Sequence, residues 1–410
     1  MSGPPQPPPT GRPDPTGRPD STDRPHRTGR PDSTDRPHRT GRPEPAGRPE
    51  PAGRPDPAGR PDPAGRPDPA GRPHHTGRPG PAGPVHRGPA VLSAAPRVVV
   101  LGGSGFVGRH VCAAFAAAGH DVVSVARRAV TGLPGVHGVS LDLLAAPEPA
   151  LAGLLRDLAP CVVVNTTGAV WDVSARQMTD VNVRLVRRVV AAVGALPEPA
   201  RLVHLGSVHE YGPVPRGTTL DEHSPPRPAT VYGRTKLLGS RTVLNASANG
   251  RPAGVVLRVA NAVGPGLPRG SLLGRVAEQL SAAADRGTAA ELRLAPLRAR
   301  RDFVDVRDIT EAVLAAAQRP VAGRVFNLGR GQAVDVRRMV DDLIAASGIP
   351  ARVVEEGGEA ARSAGVEWQR VDHAAAREAL GWVPRRPLQE SLRALWEATR
   401  AGRGPTSRAS

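Results

Sequence analysis

Apolar residues in this chain fall into two rhythms. Short unbroken runs, RVVVL at 97–101, HDVVSVA at 120–126, CVVVN at 161–165, RLVHL at 201–205 and VVLRV at 255–259, have the length and β-branched content of strands buried on both faces of a parallel sheet. Between them, apolar positions recur at helical spacing over residues 109–118, 149–158 and 173–193, the first stretch closed by Gly119. A shorter strand at 139–141 ends in Asp142. Strand and helix alternating in this way predict an α/β fold with a doubly wound parallel sheet. Ligands of such sheets bind at the carboxyl ends of the strands.

The first strand runs directly into Gly102-Gly103-Ser104-Gly105-Phe106-Val107-Gly108 and then into a helix. Glycines at 102, 105 and 108 let the backbone approach a pyrophosphate at a helix N-terminus, where free amides and the helix dipole favour negative charge. A tight turn that binds nothing would also need glycine. The setting between a buried strand and a helix predicts a Rossmann-like dinucleotide site. The second strand ends Ala126-Arg127-Arg128, where enzymes that use NAD commonly place an acid for the ribose 2′-hydroxyl. Two guanidiniums there predict NADPH in preference to NAD, with NAD as the alternative. Asp142 and Leu143 are placed near the adenine edge, and Thr166, Thr167 and Gly168 along the cofactor.

One pentapeptide stands out further on: Tyr232-Gly233-Arg234-Thr235-Lys236. Lys236 is the only lysine among 55 basic residues, and Tyr232 is one of two tyrosines. Four apart on a helix, the two side chains share a face, and an ammonium there is expected to lower the pKa of the phenol. The pair therefore reads as a proton donor and acceptor, against a chance pattern on a solvated helix.

Composition adds a tail. Residues 1–94 carry most of the 47 prolines, in hexapeptides such as TGRPDP and AGRPEP. With almost no apolar side chains the segment cannot offset its ordering entropy by burial, which predicts a disordered, partly polyproline II extension. A dispensable extension or a misassigned start competes with an arginine-mediated contact to a polyanion. The tail holds 15 arginines against 10 acidic residues, only +5 of the net +17. The remaining charge is consistent with an anionic small substrate, and nucleic-acid binding does not follow from it. No apolar run of 18 residues and no apolar leader occurs, so a soluble, cytoplasmic protein with no membrane partner is expected. Cys112 and Cys161 lie in apolar settings that suit buried, reduced thiols, and neither has the neighbours of a metal site.

With the glycine loop, Asn182, Ser207 and the YGRTK pentapeptide in this order, the chain resembles the extended short-chain dehydrogenase/reductase family of nucleotide-sugar epimerases, dehydratases and ketoreductases. RVANAVGPG from Arg258, RRDFVDVRDI from Arg300, VFNLGRG from Val325 and LGWVP from Leu380 fit as well, and the resemblance spans roughly 97–398. It implies that Tyr232 exchanges a proton with the substrate and that Ser207 hydrogen-bonds the same oxygen. Lys236 would hold the nicotinamide ribose, and Asn182 would support the lysine through a water. It also implies a dinucleotide domain over 95–264, joined by 301–330, and a smaller discontinuous substrate domain from 265–300 and 331–400. Asn261, Arg301 and the neighbouring Arg298 and Arg300 would meet the diphosphate of a sugar nucleotide; a solvated arginine pair is the bland alternative. Asp302 and Asp305 are expected to brace the fold. Homodimers are usual in the family.

The reaction is read from Ser207-Val208-His209-Glu210. Sugar 4,6-dehydratases of the family place Asp then Glu directly after the catalytic serine or threonine. Here Val208 and His209 occupy those positions, and Glu210 comes one residue late and is expected to point elsewhere. His209 is either a second contact to the sugar or a loop residue. Of the two family chemistries that remain, the Arg127-Arg128 strand end favours an NADPH-dependent reductase of a 4-keto-6-deoxy sugar nucleotide over the alternative, an NAD-dependent 4-epimerase, and a nonenzymatic dinucleotide-binding regulator stands beside them as a rival class. The arginine-for-lysine bias resembles high-GC actinobacterial proteomes, where such enzymes often make sugars for secondary metabolites.

Overall fold

The computed structural model describes residues 95–170, 173–357 and 366–402. The tail expected over 1–94 lies outside the described residues. Seven strands form one sheet: β1 (Arg97–Leu101), β2 (Asp121–Ala126), β3 (Val136–Ser140), β4 (Val162–Asn165), β5 (Arg201–Ser207), β6 (Ala253–Val259) and β11 (Val325–Leu328). Their order is β11-β6-β5-β4-β1-β2-β3, and each neighbouring pair is parallel. The order reverses between β1 and β4, so the carboxyl ends of these two strands open a crevice.

Valine-rich strands build this sheet because both of their faces are covered. Val98 and Val100 of β1 pack with α1 (Phe106–Ala117) and with Ile309 and Val313 of α7 (Val306–Gln318). Val99 and Leu101 face Leu151 and Leu155 of α2 (Glu148–Leu158) and Val186 and Val189 of α4 (Leu185–Gly194). A third apolar cluster joins α6 (Leu272–Arg286), β8 (Ala290–Leu294), α8 (Val336–Ser347) and α10 (Leu388–Ala401) around Leu280, Leu292, Leu343 and Leu392. Val371, Ala376, Leu380 and Trp382, around α9 (Ala374–Leu380), instead pack in the first cluster beside the sheet.

Two differences from the sequence reading have local causes. The helix expected over 173–193 is broken into α3 (Ala175–Thr179), a π-helical turn at Asp180–Arg184, and α4. The wider turn carries Asn182, whose amide is tied to neighbouring elements. Cys112 is buried as expected, but Cys161 is exposed. It precedes β4 at the amino-terminal edge of the sheet and lines a cavity of about 390 Å³ with Phe115, Arg201 and Gln318.

Candidate active site

The glycine loop fits a pyrophosphate on steric grounds. Gly102 takes φ +81°, and its carbonyl accepts the Gly105 amide at 2.9 Å. A Cβ on Gly108 would stand 2.2 Å from that same carbonyl oxygen, so helix and loop can approach only through glycine. Gly105 caps α1 with no side-chain hydrogen bond, which leaves the first-turn amides for a ligand. Ser104 is exposed, whereas Phe106 packs toward the third cluster and Val107 toward the first; these two can offer only backbone. Thr166 Oγ1 donates to the Leu101 carbonyl at 2.8 Å, bringing the tip of β4 against the loop. Thr167 donates to Asn165 at 2.6 Å, and Gly168 is exposed beside Asn182.

At the second strand, Arg127 and Arg128 are both exposed beyond the end of β2. The Asp142 carboxylate accepts the Leu144 and Ala145 amides, which hold it below the usual carboxylate range, and Arg127 adds to the effect. Leu143 buries its side chain in the second core, while its carbonyl accepts from Arg188 at 2.9 Å.

The residues expected to handle the proton converge at the tip of β5. Ser207 ends the strand and caps a 3-10 turn, Val208–Glu210, its hydroxyl accepting the His209 amide at 3.2 Å. Helix α5 (Val231–Ala248) begins alongside, capped by Thr230, whose hydroxyl accepts the Gly233 amide at 3.0 Å. Gly233 is needed there because a Cβ would lie 2.4 Å from the His209 carbonyl oxygen. This close start puts Tyr232 against the turn: its ring meets His209 edge-on, with centroids 5.6 Å apart. Lys236, buried one turn later, donates to the Leu205 carbonyl. Asn182 exchanges hydrogen bonds with the Ala169 backbone and donates to Thr235 Oγ1 at 3.1 Å, so its direct link to the pentapeptide is through Thr235.

The electrostatics correct one expectation. The Tyr232 phenol is raised above its ordinary value, not lowered: burial outweighs the Ser207 hydrogen bond, and the charge of Glu210 adds to burial. Burial also brings the Lys236 ammonium down to about 8, against the pull of Glu210. His209 falls to about 4 through burial and the nearby Arg301.

The basic strand β9 (Arg300–Arg301) divides its two side chains. Arg300 pairs with Asp335 at 2.9 Å and lies over Trp368, beside a cleft of about 300 Å³ that Arg298 also lines. Arg301 is buried on the His209 side, with its guanidinium lowered to about 10 by burial. Asn261 Nδ2 donates to the Asp302 carbonyl and to Gln369. Asp302 accepts three backbone amides, from Arg330, Gly331 and Val371, and Asp305 caps α7.

Glu210 was expected to point elsewhere, and it does: it is wholly buried and pairs with Arg258 at 2.8 Å. The sequence did hold a signal for this pair, since an arginine inside the otherwise apolar strand VVLRV requires a buried anion. Among the described residues no group of three His, Cys, Asp or Glu is placed to hold a metal, and no helix is long and apolar enough to cross a membrane.

Comparison with known proteins fits this geometry. Residues 98–329 match the family described as NAD dependent epimerase/dehydratase. The chain is 44% identical over 306 residues to dTDP-6-deoxy-L-talose 4-dehydrogenase (NAD(P)(+)) of Kitasatospora kifunensis, covering 75% of this chain and 96% of that protein. It is 27% identical to GDP-6-deoxy-D-mannose reductase of Pseudomonas aeruginosa, covering 74% and 97%. The solved structure of MoeE5 in complex with UDP-glucuronic acid and NAD superposes with a TM-score of 0.65 at 26% identity, covering 75% and 99%. On its glycine loop, its converging Ser207, Tyr232 and Lys236 and these likenesses, the chain belongs to the NAD-dependent epimerase/dehydratase family and is an enzyme of the extended short-chain dehydrogenase/reductase type.

Proposed function

We propose that this enzyme reduces the 4-keto group of a nucleotide-activated 6-deoxy sugar with NADPH. The observation that carries the reading is the tip of β5. There Ser207 and Tyr232 meet while Val208 and His209 stand where a dehydratase needs its two acids, and Glu210 is already engaged by Arg258. The most informative relative is named for oxidation at carbon 4 of a dTDP-linked 6-deoxy sugar, and ketone reduction is that reaction reversed.

The raised phenol of Tyr232 suits this direction, because a donor must hold its proton at neutral pH until the ketone oxygen takes it. Ser207 donates a hydrogen bond to the same oxygen. A proton donor so placed contributes roughly 10² to 10⁴ in rate. When bound in the glycine cradle, the dinucleotide supplies hydride to the sugar carbon. Lys236 holds the ribose, and Asn182 steadies the pentapeptide through Thr235. Thr166, Gly168, Asp142 and Leu143 line the dinucleotide, and Arg127 and Arg128 receive its 2′-phosphate. Arg301, with Asn261 beside it, takes the sugar nucleotide's diphosphate, and His209 lies along the sugar. A homodimer through α5 is part of the reading, supported by the exposed Leu238 on that helix.

A panel of keto-sugar nucleotides with NADPH tests the proposal. Loss of absorbance at 340 nm in proportion to substrate is expected, and Tyr232→Phe should lose at least a hundredfold in kcat while still binding NADPH. Interconversion of 4-hydroxy epimers without net loss of absorbance would establish the epimerase instead. Full turnover by the Phe variant would end the reading altogether.

A further inference from the structure

Glu210 is a buried anion that none of the proton-transfer steps above uses. One carboxylate oxygen accepts the Ser207 amide at 2.8 Å and the Ser240 hydroxyl at 2.8 Å. The other accepts Arg258 Nε at 2.8 Å. Gly206, just before Ser207, makes room for it, since a Cβ there would come within 2.7 Å of the carboxylate. Arg258 is held in turn: its guanidinium lies over the Tyr211 ring at 4.6 Å, and Tyr211 Oη donates to Asn327 on β11 at 2.8 Å. A carboxylate clamped from β6, α5 and its own turn cannot rotate away, so it fixes the main chain on which the Ser207 hydroxyl depends.

We propose that Glu210 is a positioning residue for proton transfer, which locks the turn bearing Ser207 and presents a fixed negative charge to Tyr232 and Lys236. The inference rests on the reductase reading of this site. The charged and titratable groups around the carboxylate are Arg258 from β6, Tyr211 from the turn, and Tyr232 and Lys236 from α5, with Arg301 near His209. Both Tyr232 and Lys236 hold their protons more firmly because of Glu210. Its charge therefore keeps the proton donor loaded, while its hydrogen bonds keep Ser207 in place.

Two variants separate the roles. Glu210→Gln keeps an acceptor for the Ser207 amide but removes the charge; the alkaline limb of kcat/KM for reduction should move to lower pH by about one unit. Glu210→Asp keeps the charge but withdraws it by one methylene; kcat should fall at least tenfold with the alkaline limb unmoved. If the Gln variant does not fold, the Asp variant still decides, since unchanged kcat in it overturns the positioning role. A Gln profile that superimposes on the parent, or moves to higher pH, overturns the electrostatic role. Tyr232→Phe run alongside keeps the two readings apart: turnover lost there with no effect at Glu210 defeats this inference alone, whereas turnover kept there defeats the reductase.

Discussion

Tyr232 keeps its proton because the same packing that brings it to Ser207 takes it out of water. Rarity made Tyr232 and Lys236 legible in the sequence, and spacing put them on one helical face. The sign of the phenol's shift was not legible, since it depends on burial and on Glu210, 22 positions upstream. Arg301 shows the same tension between site and stability. A guanidinium buried without a carboxylate at salt-bridge distance among the described residues costs folding energy that a sugar nucleotide would return. Arg301→Met should therefore raise the melting temperature by a few degrees while raising KM at least tenfold, measured by thermal denaturation and initial rates. His209 gives a pH signature. Its folded pKa of about 4 lies below the ordinary histidine value of 6.5, so the unfolded chain gains a proton that the folded one refuses. Stability is lost as pH falls from about 6.5 to 4, by roughly 3 kcal/mol for this residue. Asp302, raised to about 6 by burial, works in the opposite sense, so the informative quantity is the difference in slope. In His209→Asn, melting temperature should fall less steeply across that window.

The βαβ unit was readable because each of its parts obeys a local rule: a buried apolar run, a glycine turn, a helix closed by Gly119. Gly108→Ala tests its central contact. A methyl group 2.2 Å from the Gly102 carbonyl oxygen must push helix from loop, so dinucleotide affinity should drop more than tenfold and the melting temperature should fall, read by fluorescence titration and calorimetry. In the proposed reading, the end of β2 carries the cofactor preference. Arg127→Ser combined with Arg128→Ser should weaken NADPH by about 10- to 100-fold and leave NADH nearly unchanged, since a charge-assisted hydrogen bond contributes roughly 1.5–3 kcal/mol. Equal affinity for both cofactors in the parent would refute that role. The π-helical turn at Asp180–Arg184 was out of reach of periodicity, because what holds it is Asn182's bonding to Ala169 and Thr235, one of them 53 positions away. Edge strand β3 was blurred for a related reason: its faces are only partly covered, so its residues need not all be apolar.

At the scale of the molecule, the doubly wound parallel sheet was legible from the alternation of strands and helices, whereas the order of its strands is a finding of the structure. The third apolar cluster draws its helices from two stretches separated by the return of the chain to the sheet, a discontinuity that the family resemblance implied and that periodicity alone does not give. With almost no apolar side chains the tail has little to add to an apolar core, so an enzyme beginning at Ala95 should show the same melting temperature and kcat as the full chain. A loss of either would give the tail a role. The exposure of Cys161 has a practical consequence. It precedes β4, which pairs in parallel with β5, so seven residue steps of strand separate its level from Ser207, roughly 23 Å at about 3.3 Å per residue. With Cys112 sealed in the core, a maleimide dye should attach once per native molecule and twice after unfolding. At that separation the dye can quench the emission of a reduced nicotinamide held at the opposite edge, giving an optical gauge of cofactor release during turnover.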